Sequence, residues 1–186
     1  GEPETIGFYI LHEGVVRASD GEIQEIDYDD MPDLDADGSE GGNVDKINVA
    51  DNGWIGFTDK YWMTTLVPAP GSPFTSVAKY TPSNDVYQTD MRQPTMTIAA
   101  GTTAETTSSM FAGAKEWATI KKYQDDQGVE QFVDSIDWGM FFFLTKPIFA
   151  VLHWLHSFIG NMGWSIIALT FVIKVVLFAL AYRSSV

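Results

Sequence analysis

The chain has 186 residues, 25 of them acidic and 11 basic, and its net charge is −14 at pH 7. All 25 acidic residues lie at or before Asp137 with eight of the basic ones, so residues 1–137 carry −17 and the remainder +3. A segment this acidic repels nucleic acid and anionic lipid headgroups, which argues against both as its partners. The sequence contains no cysteine, so disulfides are excluded and cysteine usage does not identify the compartment.

The first 114 residues are patterned as short β-strands separated by Gly, Pro, Asn and Asp. GFYILHEGVVRA is apolar and β-branched, EIQEIDY alternates with the strand period, and NGWIGFTDKYWMTTLVP runs from a turn signal to Pro68. SVAKYTP and QPTMTIAAGTTAETTSSMF add threonine-rich strand material. We predict a mainly β fold, an antiparallel β-sandwich over residues 1 to about 114, with an open barrel as the alternative. The core candidates are Trp54, Phe57, Tyr61, Trp62 and Leu66.

The stretch DYDDMPDLDADGSEGGNVD interrupts this pattern. Asp33, Asp35, Asp37 and Gly38 match the opening of a calcium-binding loop, in which alternate carboxylates converge on one ion. The twelfth position should carry a bidentate glutamate and is Val44 instead. We therefore predict a solvated acidic loop here, with a cation site as the alternative.

From Lys115 the apolar period becomes helical. KEWATIKKYQDDQG places Trp117, Ile120 and Tyr123 on one side, and Gly128 is a stop signal. We predict short helices over about 115–127 and 129–135, and a domain boundary after residue 136.

DWGMFFFLTKPIFAVLHWLHSFIGN predicts an amphipathic helix over 139–159. Lys146, His153 and Ser157 form a narrow polar stripe on an otherwise apolar helix, which favours a position in the plane of the lipid headgroups. Trp138 and Trp154 are expected at interfacial depth, as is Trp164 at the start of the next apolar run. His153 and His156 are spaced for a metal but have no third ligand nearby, so we predict neither metal nor cofactor.

WSIIALTFVIKVVLFALAY, Trp164 to Tyr182, is 19 residues long and predicts a membrane span of roughly 29 Å. Its eleven Ile, Leu, Phe and Val residues contribute about −3 to −7 kcal/mol to insertion, against about +2.5 to +3.5 for Lys174 near the centre. Insertion is therefore favourable or neutral despite the lysine. Arg183, just past the apolar run, indicates that this end is cytoplasmic.

FLTKPIFAVLHWLHSFIGNMGWSIIALTFVIKVVLFALAYRSSV resembles the YidC membrane protein insertases of bacterial inner membranes, relatives of the Oxa and Alb proteins. NGWIGFTDKYWMTTLVP and MFAGAKEWATIKKYQDDQGVEQFVDSIDWG look like the large periplasmic domain of the same family. The resemblance implies a periplasmic β-sandwich domain over 1–136 and an amphipathic interfacial helix over 137–160. Residues 161–186 would hold a transmembrane helix and the start of a cytoplasmic segment.

The resemblance also implies a function without a covalent step. The family holds a hydrophilic groove within the membrane, in which a positive side chain on this helix receives segments of incoming substrates. Lys174 occupies that position and Thr170 lies one turn earlier. The implied partners are nascent membrane proteins, membrane lipids, and the Sec translocon with its SecDF accessory proteins. The family has one span before the domain and three after this helix, so we expect the chain to be a fragment.

Three alternatives remain open from the residues alone. Lys174 could snorkel to the interface as a tolerated charge. The chain could be a single-pass anchored, extracytoplasmic binding protein, which would need neither the lysine nor the amphipathic helix. An enzyme is the third, since the family's periplasmic domain is similar in fold to sugar mutarotases, but His12 is the one histidine before the amphipathic helix and gives no two-histidine site.

Overall fold

The computed structural model describes residues 12–136 and 142–185. The chain divides into two compact units, Gly1–Asp137 (unit 1) and Trp138–Val186 (unit 2). Unit 1 is built from β-strands and short helices, whereas unit 2 is helical.

Residues 12–136 of unit 1 form two antiparallel sheets. The first sheet has the order β2-β1-β5-β6-β9 and the second has the order β3-β4-β7-β8. This confirms the predicted antiparallel sandwich followed by helices. The elements are β1 Gly14–Ser19, β2 Glu22–Asp27, a 3-10 helix Tyr28–Asp33, β3 Ala36–Asp37, β4 Gly42–Val49, β5 Gly53–Thr58, β6 Trp62–Pro68, β7 Phe74–Thr81, β8 Val86–Arg92, β9 Ser108–Ala114, α1 Trp117–Gln127 and a 3-10 helix Phe132–Ser135.

The first sheet is the middle layer of unit 1, because both of its faces are covered. Along β1, Val15 packs with Ile55 and Ala78 in a cluster against the second sheet. Val16, one residue on, packs with Ile120 of α1 in a separate cluster on the opposite face. Side chains alternate between the faces of a strand, so a run of buried residues is the expected pattern for a strand covered on both sides.

The helical face of the first sheet is closed by aromatic packing. The Trp54 ring lies edge-on to Phe132 at 5.7 Å, and Phe132 contacts Phe111 in the same manner at 5.5 Å. Trp54 is 1% exposed and its indole N–H donates to the Glu130 carbonyl at 3.0 Å. Each such side chain contributes about 1.5–3 kcal/mol by leaving water. The helix α1 ends at Gly128, whose φ of 69° is favourable for glycine and whose N–H caps the Tyr123 carbonyl.

A buried ion pair links the two sheets. Arg17 on β1 is 0% exposed, and its guanidinium donates to the Asp45 carboxylate of β4 at 2.6 Å and to the Gln24 side chain at 2.7 Å. Burial lowers the pKa of Arg17, and the neighbouring Asp45 carboxylate opposes that shift.

The acidic stretch is more regular than the solvated loop that we predicted. Tyr28–Asp33 form a 3-10 helix, in which Met31 is fully buried and Tyr28 is 8% exposed. These two side chains pack the segment against the sandwich. The aspartates around them led us to predict a solvated loop instead. Asp37 accepts hydrogen bonds from Ser39 and from Lys46, and no group of three or more metal-ligating side chains occurs within the described residues.

Two further expectations are corrected. Residues 93–107, predicted as strand material, are irregular and exposed, because the chain crosses there from the edge strand β8 of one sheet to the edge strand β9 of the other. Tyr61 and Trp62, predicted core residues, are 71% and 64% exposed, since they lie at the tip of the β5–β6 hairpin. Trp54 is buried as predicted, and Phe57 and Leu66 are partly buried.

The described part of unit 2 forms two helices that pack against each other, α2 Phe142–Ile159 and α3 Met162–Ser184. The end of α2 agrees with the predicted 159. Its predicted start at 139 and the interfacial residue Trp138 lie outside the described residues.

Candidate membrane site

The turn between α2 and α3 is fixed by two capping residues. Gly160 has a φ of 76° and its N–H donates to the His156 carbonyl at 2.7 Å, which ends α2. The Asn161 side-chain oxygen accepts from the Gly163 N–H at 2.9 Å and from the Trp164 N–H, which begins α3. The sequence analysis did not identify this cap, although an Asn before an apolar helical run is its usual signal.

Helix α3 has the dimensions of a membrane span. Its 23 residues extend about 34 Å, which exceeds the hydrocarbon thickness of about 30 Å. Within the described residues it is the one helix long and apolar enough to cross a membrane by length and composition. Its side chains are exposed almost throughout, including Phe171 at 69% and Phe178 at 74%. A surface of this kind is suited to lipid rather than to water.

Lys174 lies near the middle of α3, about 18 Å from the first residue and 15 Å from the last. Its side chain is exposed, and unit 2 contains no Asp or Glu that could neutralise it. The Thr170 hydroxyl, one turn earlier, donates to the Ile166 carbonyl at 2.8 Å. A bare ammonium at this depth of a bilayer is costly unless its side chain reaches the interface or meets a counter-charge, water or other polar groups.

Helix α2 has a lipid-like face and a half-buried polar stripe. Ile148, Val151 and Phe158 are 42%, 45% and 83% exposed. Trp154 stacks on Phe158 at 6.0 Å and is 62% exposed. The polar stripe is formed by Lys146, His153 and Ser157, of which the first two are half-buried within unit 2 and the third donates from its hydroxyl to the Trp154 carbonyl.

His156 lies one turn after His153 on α2. Its Nδ1 is buried and has no hydrogen-bond partner, and the described residues contain no metal-ligating group of three or more.

Unit 1 contains a cavity of about 230 Å³ between strands β6 and β9 and helix α1. Its walls include Pro68, Phe111, Tyr123 and Phe132, and its lining has no charged side chain and no histidine. His12 lies elsewhere, with Nδ1 2.6 Å from the Asp27 carboxylate and Nε2 2.7 Å from the Val15 carbonyl. The cavity therefore lacks the paired general acid and base that a mutarotase-type reaction requires.

Comparison with known proteins identifies a family. Residues 1–151 match the family described as the YidC periplasmic domain. The chain is 58% identical over 185 residues to a membrane protein insertase YidC of Ruegeria sp. strain TM1040, covering 99% of this chain and 30% of that protein. Insertases of the same name from Paracoccus denitrificans and Dinoroseobacter shibae are 58% and 56% identical, over 99% and 100% of this chain and 29% and 31% of theirs. The chain thus spans about 30% of the length of these relatives.

Proposed function

This chain belongs to the YidC family of membrane protein insertases, and from that premise we propose that it is part of a protein that helps to insert, fold and assemble integral membrane proteins. The family consists of non-enzymatic membrane chaperones, in agreement with the expectation that no covalent step is catalysed. The observation that carries the proposal is the identity of 53–58% along the whole chain, α3 included.

The proposed location is the bacterial inner membrane. Unit 1 corresponds to the periplasmic domain of the family, and α3 is long and apolar enough to cross the bilayer. Arg183, in the last turn of α3, assigns that end to the cytoplasm by the positive-inside bias. The domain limits stay as proposed, 1–136, 137–160 and 161–186.

Lys174 and Thr170 are proposed to line a hydrophilic groove for incoming substrate segments. The support is physical: an ammonium in mid-span with no acidic residue in unit 2 needs a polar environment. Such a charge attracts the acidic translocated tail of a substrate and lowers the cost of moving it partway across. Release then follows as apolar helix surface enters lipid.

Helix α2 is proposed to lie along the periplasmic surface of the bilayer. Its exposed apolar side chains, with Trp154 among them, suit the acyl chains, while Lys146 and His153 suit the headgroups. Trp138 and Trp164 would lie at the same depth. The proposed protein partners are nascent membrane proteins and, by family resemblance, the Sec translocon with its SecDF accessory proteins.

The test of the groove compares two Lys174 variants in the full-length insertase. Lys174→Arg keeps the charge and should support insertion, whereas Lys174→Ala should impair substrates with acidic translocated tails more than substrates with neutral tails. One lost charge contact is worth about 1–3 kcal/mol, so the defect should be partial. An in vivo insertion assay with matched charged and neutral tails measures it, and Val175→Ala is the control for a change on the same helix.

A tolerated lysine predicts the opposite outcome. Alanine would then insert both tails as well as the native chain does, and the helix itself would enter the membrane more readily by about 2.5–3.5 kcal/mol. That result would remove Lys174 from the proposed groove and leave the family membership, which rests on the identity along the whole chain, unchanged.

A further inference from the structure

Within the described residues, strand β9 is an edge of the first sheet that lacks the usual protection against further pairing. Edge strands are normally short or carry charged residues or proline, because their unpaired backbone groups are a template for another strand. The edge strand β2 carries three carboxylates, β3 has two residues, and β8 carries Asp90 and Arg92. By contrast, β9 is seven residues long and contains neither a charged residue nor a proline. It is therefore the edge at which a further strand can pair most readily.

The backbone groups on the open side of β9 follow from its pairing with β6. The two strands are antiparallel, and the Lys115 N–H, in register with them, donates to the Tyr61 carbonyl at 2.8 Å. Hydrogen-bonded positions alternate in an antiparallel ladder, so the odd-numbered residues of β9 also face β6. Met110 and Ala112 therefore direct their N–H and C=O groups away from β6, where an added strand would meet them.

Both faces of the sheet beside β9 offer apolar contacts to the side chains of an added strand. Met110 pairs with Leu66, which packs toward the second sheet, but Met110 itself is 69% exposed. Phe111 points to the opposite face and packs with Tyr123 of α1 at 5.6 Å. The cavity of about 230 Å³ lies on this second face, and five consecutive residues, 107–111, line it. Consecutive strand residues point to alternate faces, so a cavity lined by all of them reaches the backbone edge.

These features define the chemistry of the occupant. A row of outward N–H and C=O groups recognises extended backbone, and the surfaces on either face accept alternate side chains. The described residues that line the cavity are all uncharged, so the side chain that enters it must be uncharged as well. Unit 1, with 25 acidic and eight basic residues, repels a second copy of itself and attracts a segment that has basic residues at its ends.

We propose that the open edge of β9 binds an extended, uncharged segment of another protein, flanked by basic residues, as an additional strand of the first sheet. One set of its alternate side chains lies beside Met110, and the other enters the cavity beside Phe111. The site goes beyond the insertase function and does not depend on it, because every residue that forms it belongs to unit 1.

Peptide binding to the full chain in phosphatidylcholine nanodiscs tests the proposal, with empty nanodiscs as the blank. The probe is a fluorescent peptide of alternating Thr and Val around a central Phe, with two Lys at each end. We expect saturable binding, measured by fluorescence anisotropy. The same peptide with Pro in place of the two Thr residues that flank the Phe should not bind, because proline supplies no backbone N–H to the ladder.

Two substitutions block the edge in different ways. Ala112→Pro removes an outward N–H and leaves the ladder with β6, whose donors are the odd-numbered residues. Met110→Lys places a charge against the added strand and keeps the test if Ala112→Pro does not fold. Each should weaken binding by about tenfold, as expected for the loss of one or two hydrogen bonds or of a comparable apolar contact. Val86→Lys, at an exposed residue of the edge strand β8, adds the same charge and should leave binding nearly unchanged.

The possible results distinguish this site from its alternatives. Absence of saturable binding overturns it, and equal binding of the proline peptide means that the probe fills the cavity without forming a strand. Equal weakening by Val86→Lys and Met110→Lys means that net charge, not the edge, holds the peptide. A native chain that sediments as a dimer, and as a monomer after Met110→Lys, assigns the edge to a second copy. Each of these results leaves the proposed groove at Lys174 untouched.

Discussion

The two units of this chain treat large apolar side chains in opposite ways. In unit 1, Trp54 is 1% exposed and Phe132 is also 1% exposed, both between the first sheet and α1. In unit 2, Trp164 is 64% exposed and Phe178 is 74% exposed, and both lie on helix α3. In water, the hydrophobic effect would favour burial of the aromatic side chains of unit 2, as it does for those of unit 1. The difference indicates that the units fold in different solvents, unit 1 in water and unit 2 in lipid.

The charged groups repeat the contrast. Arg17, the buried cation of unit 1, has three hydrogen bonds from its own guanidinium to Gln24 and Asp45. Lys174, at the centre of α3, has no ion pair within the described residues and no acidic residue anywhere in unit 2. Unit 1 pairs its buried guanidinium with a carboxylate of its own, whereas the sequence of unit 2 offers Lys174 no acidic side chain. The predictions below test this contrast, from the largest effect to the smallest.

The largest effect is expected from Trp54→Ala. The substitution removes a side chain that contacts Phe132 and donates to the Glu130 carbonyl, and it leaves a cavity beneath α1. Core Trp→Ala changes cost about 3–5 kcal/mol, a large part of the stability of a domain of this size. Chemical denaturation followed by the circular dichroism signal of the β-sheets measures the loss in unit 1.

Trp62→Ala is the matched control, eight residues along the same hairpin. Its ring is 64% exposed, and substitutions on an exposed surface change stability by about 0.5 kcal/mol or less. Equal destabilisation by the two substitutions would contradict the burial that separates them.

The second prediction concerns the ion pair between the sheets. Asp45→Leu should destabilise unit 1 by about 3 kcal/mol, near the lower limit for breaking a buried pair, because the Asp45 side chain is one-third exposed. The double variant Arg17→Met with Asp45→Leu removes both charges and should recover most of that loss. If the double variant is less stable than Asp45→Leu alone, the loss does not arise from an uncompensated guanidinium.

The third prediction is a pH dependence at the edge of the second sheet. Hydrogen bonds from Arg92 at 2.6 and 2.9 Å and an ion pair with Lys46 lower the pKa of Glu40 from 4.5 to about 2. A carboxylate whose pKa falls on folding adds stability above its unfolded value, and that stability is lost as the pH falls. The contribution of Glu40 should therefore be complete above pH 4.5 and decline toward pH 2.

Glu40→Gln tests this by removing the titration. Denaturation midpoints of the native chain and the variant should differ at pH 6 and converge as the pH approaches 2. A gap between native and Glu40→Gln that stays constant from pH 6 to pH 2 would be inconsistent with a lowered pKa.

Local patterns predicted most of the fold. The strand period and turn residues predicted the antiparallel sandwich, and the helical period with Gly128 predicted α1 to its last residue. What failed depended on contacts between distant segments. Nothing local to Tyr61 and Trp62 shows that their hairpin projects beyond the sheet, and nothing local to Met31 shows that it enters the core between the aspartates. Arg17 was not singled out, since its partner Asp45 is 28 residues away.

In the candidate site, too, local features could be predicted from the sequence and features that depend on distant segments could not. Apolar length predicted α3, and the position of Lys174 within it follows from counting residues. The proposed groove around Lys174 is a property of several helices, and this segment supplies one of them. For that reason the roles of Lys174 and Thr170 stay predictions, as do those of the interfacial residues of α2.

The smallest effect is expected at the cap of α3. Asn161→Ala removes the oxygen that accepts from the Gly163 and Trp164 N–H groups, while Asn161→Asp keeps an acceptor in the same place. In water, loss of an N-cap costs about 1 kcal/mol, because solvent replaces the missing partner. In hydrocarbon no such replacement exists, and an unsatisfied N–H costs several kcal/mol.

The loss of stability caused by Asn161→Ala therefore depends on how deep the first turn of α3 lies in the bilayer. If Trp164 lies at the interface as proposed, the headgroup layer supplies water, and Asn161→Ala should cost about 1 kcal/mol while Asn161→Asp is nearly neutral. Titration with dodecyl sulfate of the full chain in lipid–detergent bicelles, followed by the helical circular dichroism signal, measures both variants. A cost of several kcal/mol would place the α2–α3 turn within the hydrocarbon and so contradict an interfacial α2. A cost near 1 kcal/mol means that the boundary between the two solvents passes close to Asn161.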